Sequence, residues 1–201
     1  PAMQQYRGFK DAHPECVLFF RMGDFYEMFD EDARTVSKAI GLTLTQRGNG
    51  VDMAGVPYHA AEGYMRRMVE QGFRVAVCEQ LQDPSEAKGV VDRGVTRIVT
   101  PGTLIDASLL IDSQTNLLCA LRSDDKNVYI AVAEISTGLF ELHKVASDRL
   151  DDALERLGVA EAIIGEDEES IIPTIEYCGV SITKRPAWHF NTTEGGALLK
   201  T

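Results

Sequence analysis

The run Cys16-Val17-Leu18-Phe19-Phe20-Arg21-Met22-Gly23-Asp24-Phe25-Tyr26-Glu27-Met28-Phe29 decides how this chain is read. Cys16–Phe20 is short and continuously apolar, which suits a strand buried on both faces. Gly23 permits a sharp exit from that strand, so the residues after it can project from the domain edge. Phe25 and Glu27 are two apart. In an extended segment they point the same way; in a helical turn they do not. A plainer reading makes Phe20, Phe25, Tyr26 and Phe29 core aromatics around a polar turn, since aromatic side chains are usually buried.

Before this run, Met3, Tyr6 and Phe9 recur as one face of a helix over Met3–Ala12, which Pro14 ends. After it, Asp30 is placed to cap a second helix, with Ala33, Val36, Ala39 and Ile40 on one face and Gly41 as its stop. Leu42–Thr45 reads as a strand, Arg47-Gly48-Asn49-Gly50 as a turn, and Val51–Val56 as a partner strand. A third helix over Ala60–Gln71 carries the inner stripe Ala61, Met65, Met68 and Val69, and Gly72 ends it. Arg74–Cys78 and Val95–Thr100 are two more strands, separated by a loop around Asp83-Pro84-Ser85. Pro101-Gly102-Thr103 breaks the last of them.

The pattern then changes. Leu117–Leu121, Val128–Ile135 and Gly138–His143 predict a meander of antiparallel strands. Leu150, Ala153, Leu154 and Leu157 fall at helix spacing, with Ser147 as the cap and Gly158 as the stop. Ala162-Ile163-Ile164 is a buried strand. The chain then runs to Lys200-Thr201 with no closing element beyond the start of a helix, so the second domain reads as truncated. The division expected is a domain over 1–105, a linker over 106–115 and a second domain over 116–201, all α/β (α+β) in class.

The net charge of −11 is unevenly spread, with 12 Lys/Arg against 15 Asp/Glu in residues 1–110 and 8 against 16 in residues 111–201. A nucleic-acid footprint is ordinarily basic, so only the nearly balanced first part suits a phosphate backbone. The second part reads as a connector or a partner surface. Cys16, Cys78, Cys119 and Cys178 are too scattered for a zinc site or a Cys-x-x-Cys pair, and read as reduced core thiols of a cytoplasmic protein. No apolar run is long enough to cross a bilayer, and the start lacks the regions of a secretory signal. There is no Gly-x-x-x-x-Gly-Lys-Ser/Thr loop, no His-Glu-x-x-His and no Gly-x-Ser-x-Gly. A typical catalytic engine is missing.

Gly23-Asp24-Phe25-Tyr26-Glu27-Met28-Phe29 strongly resembles the signature of the MutS family of DNA mismatch-recognition proteins. Leu44-Thr45-Gln46-Arg47-Gly48, Ala54-Gly55-Val56-Pro57-Tyr58-His59-Ala60, Gly72-Phe73-Arg74-Val75-Ala76-Val77-Cys78-Glu79-Gln80 and Val99-Thr100-Pro101-Gly102-Thr103 resemble that family's pattern in the same order. Together they cover roughly residues 3–105. Ala133-Glu134-Ile135-Ser136-Thr137-Gly138 is similar, less distinctively, to the family's connector domain. The resemblance implies a mixed-sheet mismatch-recognition domain followed by an RNase H-like connector, both belonging to a larger protein.

It also implies roles. Phe25 matches the phenylalanine that wedges in from the minor groove and stacks on a mispaired base, and Glu27 the glutamate that hydrogen-bonds that base. A mispaired step is already poorly stacked, so inserting a ring there costs less than in paired duplex. Kinking costs on the order of 1–6 kcal/mol, less at a flexible step. An ionised carboxylate only accepts hydrogen bonds, and a purine N7 is also an acceptor. Glu27 is therefore expected to be protonated when engaged. Met22, Pro57, Tyr58 and His59 are further candidates to support the wedge or touch the backbone, and Arg47 and Arg97 to meet phosphates. The plainer readings are strand packing for Met22, a helix start for His59 and solvated charges for the arginines. Gln46 stands where the family often has a basic residue.

The partners implied are mismatched double-stranded DNA and, through the connector, repair proteins, in a cytoplasmic, nucleoid-associated setting without a membrane. ATP and Mg²⁺ belong to the ATPase of the larger protein, which is a homodimer in the family. The part read here is expected to be a monomer that needs no cofactor and is not itself an enzyme. Two other functions compete. Asp24, Glu27 and Glu134 could hold Mg²⁺ in a nuclease, and the acidic second part could serve protein interaction alone.

Overall fold

The computed structural model describes residues 2–48, 50–82, 89–103 and 116–199. The chain forms two compact units, residues 1–100 and 101–201. Residues 104–115, and with them the expected linker, lie outside the described residues, as do the Asp83-Pro84-Ser85 loop and Asn49.

In the first unit, α1 (Ala2–Ala12) leads into β1 (Cys16–Met22) and β2 (Phe25–Phe29), which pair as an antiparallel hairpin. Then come α2 (Asp30–Ile40), β3 (Thr45–Gln46), β4 (Asp52–Pro57), a 3-10 turn (Tyr58–Ala60), α3 (Ala61–Glu70), β5 (Arg74–Gln80) and β6 (Arg93–Val99). The sheet order is β3-β4-β2-β1-β5-β6, with β1 and β5 parallel and the other pairs antiparallel. This is the mixed sheet expected. The apolar run became its centre, with Phe19 and Phe20 fully buried.

Tyr6 of α1 packs edge-on to Phe20 and Phe29, with ring centroids 5.5 and 5.0 Å apart, and Met3 and Phe9 join the same cluster. The α3 stripe of Ala61, Met65, Met68 and Val69 is buried as its period required. Asp32 is buried where α1, β1 and α2 meet. It accepts hydrogen bonds from Tyr6 Oη (2.7 Å), Lys10 Nζ (2.8 Å) and the Leu18 amide (3.0 Å).

Two expectations fail locally. Asp30 does not cap α2. Phe29 occupies the cap position without a side-chain bond, and Asp30 is already helical, at φ +50°. β2 runs straight into α2 with no loop residue to spare, so the reversal falls on Asp30, a residue type that tolerates the left-handed region. Of the proposed Leu42–Thr45 strand only Thr45 pairs, together with Gln46 beyond it, because an edge strand is limited by its overlap with its one neighbour, β4. Leu44 is left 42 % exposed.

In the second unit, β7 (Leu117–Ser123), β8 (Asn127–Glu134) and β9 (Leu139–Ala146) are the antiparallel meander. Then follow α4 (Leu150–Leu157), β10 (Val159–Gly165), α5 (Ile172–Tyr177), β11 (Ser181–Arg185) and α6 (Thr192–Leu198). The order β11-β10-β7-β8-β9, with β10 parallel to β7 and β11 parallel to β10, is that of an RNase H-like sheet. Leu117, Cys119, Leu121, Val128, Ile130 and Val132 bury one face against Leu150, Ala153 and Leu154 of α4 and Ile175 of α5.

Ser147 is not the cap of α4. It opens a 3-10 turn, its amide bonded to Lys126 O, and Arg149 takes the cap position. α5 and β11 were not expected at all. Pro101–Thr103 form a 3-10 turn that packs on β7 and β10, and the Gly102 amide donates to the buried Glu161 carboxylate (3.1 Å). Cys16, Cys78 and Cys119 are buried, and burial pushes their thiols up to about 11, 12 and 12. Among the described residues no helix is long and apolar enough to cross a membrane.

Candidate nucleic-acid interface

The β1–β2 hairpin turns through Gly23 (φ +60°) and Asp24, and its register sets the rest. Phe25 pairs with Met22 on one side and Pro57 on the other; Glu27 pairs with Phe20 and Gly55; Phe29 pairs with Met53. Opposed residues share a face and alternate along the strand. Phe25, Glu27 and Phe29 therefore lie in one row on the face that α1 covers at its far end. Cover falls away along this row: Phe29 is 1 % exposed, the Glu27 side chain 20 % and Phe25 46 %. Tyr26 and Met28 point to the other face and are buried, Tyr26 with its hydroxyl bonded to Glu79.

Beside this row Gly55 leaves space. A methyl there would sit at ordinary contact distance, 3.8 Å from Glu27 Cγ and 4.0 Å from Phe25 Cδ1. The turn is held from outside by the Tyr58 amide, which donates to Asp24 O at 2.9 Å. Tyr58 is half-exposed, and His59 lies edge-on to it with ring centroids 5.8 Å apart.

Glu27 carries the unusual electrostatics. Its Oε2 is buried and has no hydrogen-bond partner among the described residues. Arg47 Nη1 is 3.6 Å away, close enough to attract but too far for a hydrogen bond. Burial raises the carboxyl above the ordinary glutamate range, and the Arg47 charge only partly opposes it. Arg47 also reaches the Phe29 ring, 5.5 Å from its centroid.

The structure thus places Met22, Phe25, Pro57, Tyr58 and His59 around the hairpin end of the sheet, with Glu27 further along β2 and Arg47 reaching it from the Phe29 end. Arg97 stands apart. It lies on edge strand β6, opposite Val77 and so on the other face, and pairs with Glu62.

The sequence reading passed over Gly55 and Arg93. Arg93 donates from Nε to Arg21 O (2.8 Å) and from Nη1 to Gln5 Oε1 (3.0 Å), approaches Met22 Sδ, and lies over the Phe20 ring. It pins α1 and β6 to the β1 arm of the hairpin beside its turn. Both residues act through cross-strand neighbours, which only a register reveals.

Among the described residues no three His, Cys, Asp or Glu side chains converge as metal ligands. Asp24 is an exposed turn residue, and Glu134 accepts from Thr137 Oγ1 at 2.6 Å in its own turn.

Residues 1–108 match the family model of MutS domain I, and residues 116–200 match that of MutS domain II.

Proposed function

Because the chain belongs to the MutS family, we propose that its first unit recognises mismatched DNA, with Phe25 entering from the minor groove and Glu27 bonding the mispaired base. The observation that carries this reading is the pairing on one open face of a half-exposed ring with a carboxylate oxygen that is buried but unsatisfied. A buried acceptor without a partner costs free energy, so such an atom favours a ligand that completes it.

Glu27 acts as a hydrogen-bond donor to a base acceptor. Its raised affinity for a proton supports this, because the backbone phosphates of a bound duplex push in the same direction. Discrimination then comes from deformability: the ring enters where stacking is already weak, and the duplex kinks around it. Met22 and Pro57 flank the ring, and Tyr58 steadies the turn.

Phe25→Ala tests this. Binding to a G·T duplex and to its matched counterpart should converge in the variant. A preserved preference for the mismatch sinks the wedge.

The second unit serves as a connector that docks repair partners. Supporting this, Phe140 and Leu142 share one face of the edge strand β9 and are 53 % and 66 % exposed, an apolar pair on an open sheet edge. Leu142→Lys should weaken partner capture without altering DNA preference.

A further inference from the structure

Two of the arginines around the hairpin face carboxylates: Arg47 faces Glu27 and Arg34 is held by Glu31 and Asp52. Arg97, the other arginine expected to meet phosphates, is paired with Glu62 on the far edge. Arg21 differs. It is half-buried at the end of β1, one residue from the turn region, and among the described residues no carboxylate forms an ion pair with it. Its Nε donates to Gly23 O, and its guanidinium carbon lies 4.0 Å from the centroid of the Tyr58 ring and 5.4 Å from that of Tyr26. Stacking on a ring restrains a guanidinium without neutralising it. Arg21 pairs with Tyr26 in the register, so it occupies the face opposite Phe25 and Glu27. The tip therefore has an aromatic and a carboxyl on one side and, on the other, a held cation whose neighbouring carboxylate, Glu79, is engaged by the Tyr26 hydroxyl rather than paired with it.

We propose that Arg21, seated on Tyr58, binds a phosphodiester of the duplex backbone while the other face of the hairpin meets the bases. The inference rests on the reading of Phe25 as the wedge. A hairpin that brings a ring into a minor groove about 6 Å wide has a sugar-phosphate strand against its outer side. A guanidinium offers five donors in a planar fork that matches phosphate oxygens, and here one of the five is spent on Gly23 O, which fixes the fork's direction. Asp24, exposed in the turn, and Glu79, bonded to the Tyr26 hydroxyl, are the opposing charges near it. The attraction is consequently short in range and acts only once the groove is engaged.

The test is a titration of the 201-residue chain with a G·T-mismatched duplex and its matched counterpart at several salt concentrations. Arg21→Met keeps the stem and removes the charge; Arg21→Lys keeps the charge. In Arg21→Met both affinities should fall by a similar factor, roughly tenfold. The log–log salt dependence should become shallower by about one. Arg21→Lys should retain the slope.

An unchanged slope in natively folded Arg21→Met overturns the proposal. So does a loss confined to mismatch preference, which would make Arg21 a support of the turn. Absence of binding by the unaltered chain to either duplex at the lowest salt also overturns it. Failure of the wedge reading looks different: Phe25→Ala keeps its mismatch preference while Arg21→Met still changes the slope.

Discussion

Glu27 Oε2 and Arg47 Nη1 stand 3.6 Å apart with no hydrogen bond between them, and the carboxylate oxygen has no other partner. Burial outweighs the arginine, so the folded protein holds a proton on Glu27 to higher pH than the unfolded chain does. The ionised form thus costs the folded state stability, and that cost grows as pH rises from the ordinary glutamate range into the raised one. Thermal melts of Glu27→Gln should show a gain over the parent at neutral pH that disappears in acid. Phosphates raise the proton affinity further, so mismatch affinity of the unaltered chain should fall with pH by up to about tenfold per unit above the free value. Binding by Glu27→Gln should be flat with pH. A variant that binds no mismatch at any pH contradicts a protonated Glu27.

Gly55 allows a test of the open face without damage to the core. A side chain there meets only ordinary contacts, the nearest being Tyr26 O at 3.6 Å, and the residue is exposed in a strand. Gly55→Val should therefore keep or slightly raise the melting temperature. Its methyls fill the space between Phe25 and Glu27, and mismatch affinity should drop roughly tenfold, about 1.4 kcal/mol. Calorimetry and binding on the same sample would check both halves.

Asp32 is a stability determinant far from the interface. Its loss removes the acceptor of the Leu18 amide and leaves the Lys10 ammonium with Cys16 O and the Tyr6 hydroxyl with Phe29 O, a long 3.3 Å contact. Asp32→Ala should cost about 3–5 kcal/mol, the usual penalty for breaking a buried pair. Denaturant unfolding should show the midpoint falling by that equivalent, with Asp32→Asn less affected.

Gly102 is a close-approach glycine. A methyl there would lie 2.9 Å from Leu118 Cδ1, 3.0 Å from Glu161 Cβ and 3.1 Å from Leu118 Cβ. Gly102→Ala should destabilise the second unit by about 1–3 kcal/mol. Hydrogen exchange should quicken in β7 and β10 and stay unchanged in β1 and β5.

Periodic signals were read well because they depend on local geometry alone. Met3, Tyr6 and Phe9, or Ala61, Met65, Met68 and Val69, define a helix face whatever surrounds them, and Gly41 and Gly158 end helices in the left-handed conformation their type favours. Capping failed at Asp30 and Ser147 because the incoming chain set the geometry there, a strand with no loop in one case and a 3-10 turn in the other. α5 is six residues long, too short for a periodic pattern to emerge, and β11 was lost with it. At the proposed interface, Phe25 and Glu27 stand out in the sequence as part of a motif. Gly55, Arg93 and Arg21 do not, since each matters through a residue on another strand.

β2 is hydrogen-bonded on both flanks, to β1 and to β4. A finger tethered at its base could yield when pressed into a duplex; this one has no slack to give. In the proposed reading the protein is the stiff gauge and the nucleic acid the spring, so what is sensed at each step is how readily that step gives way.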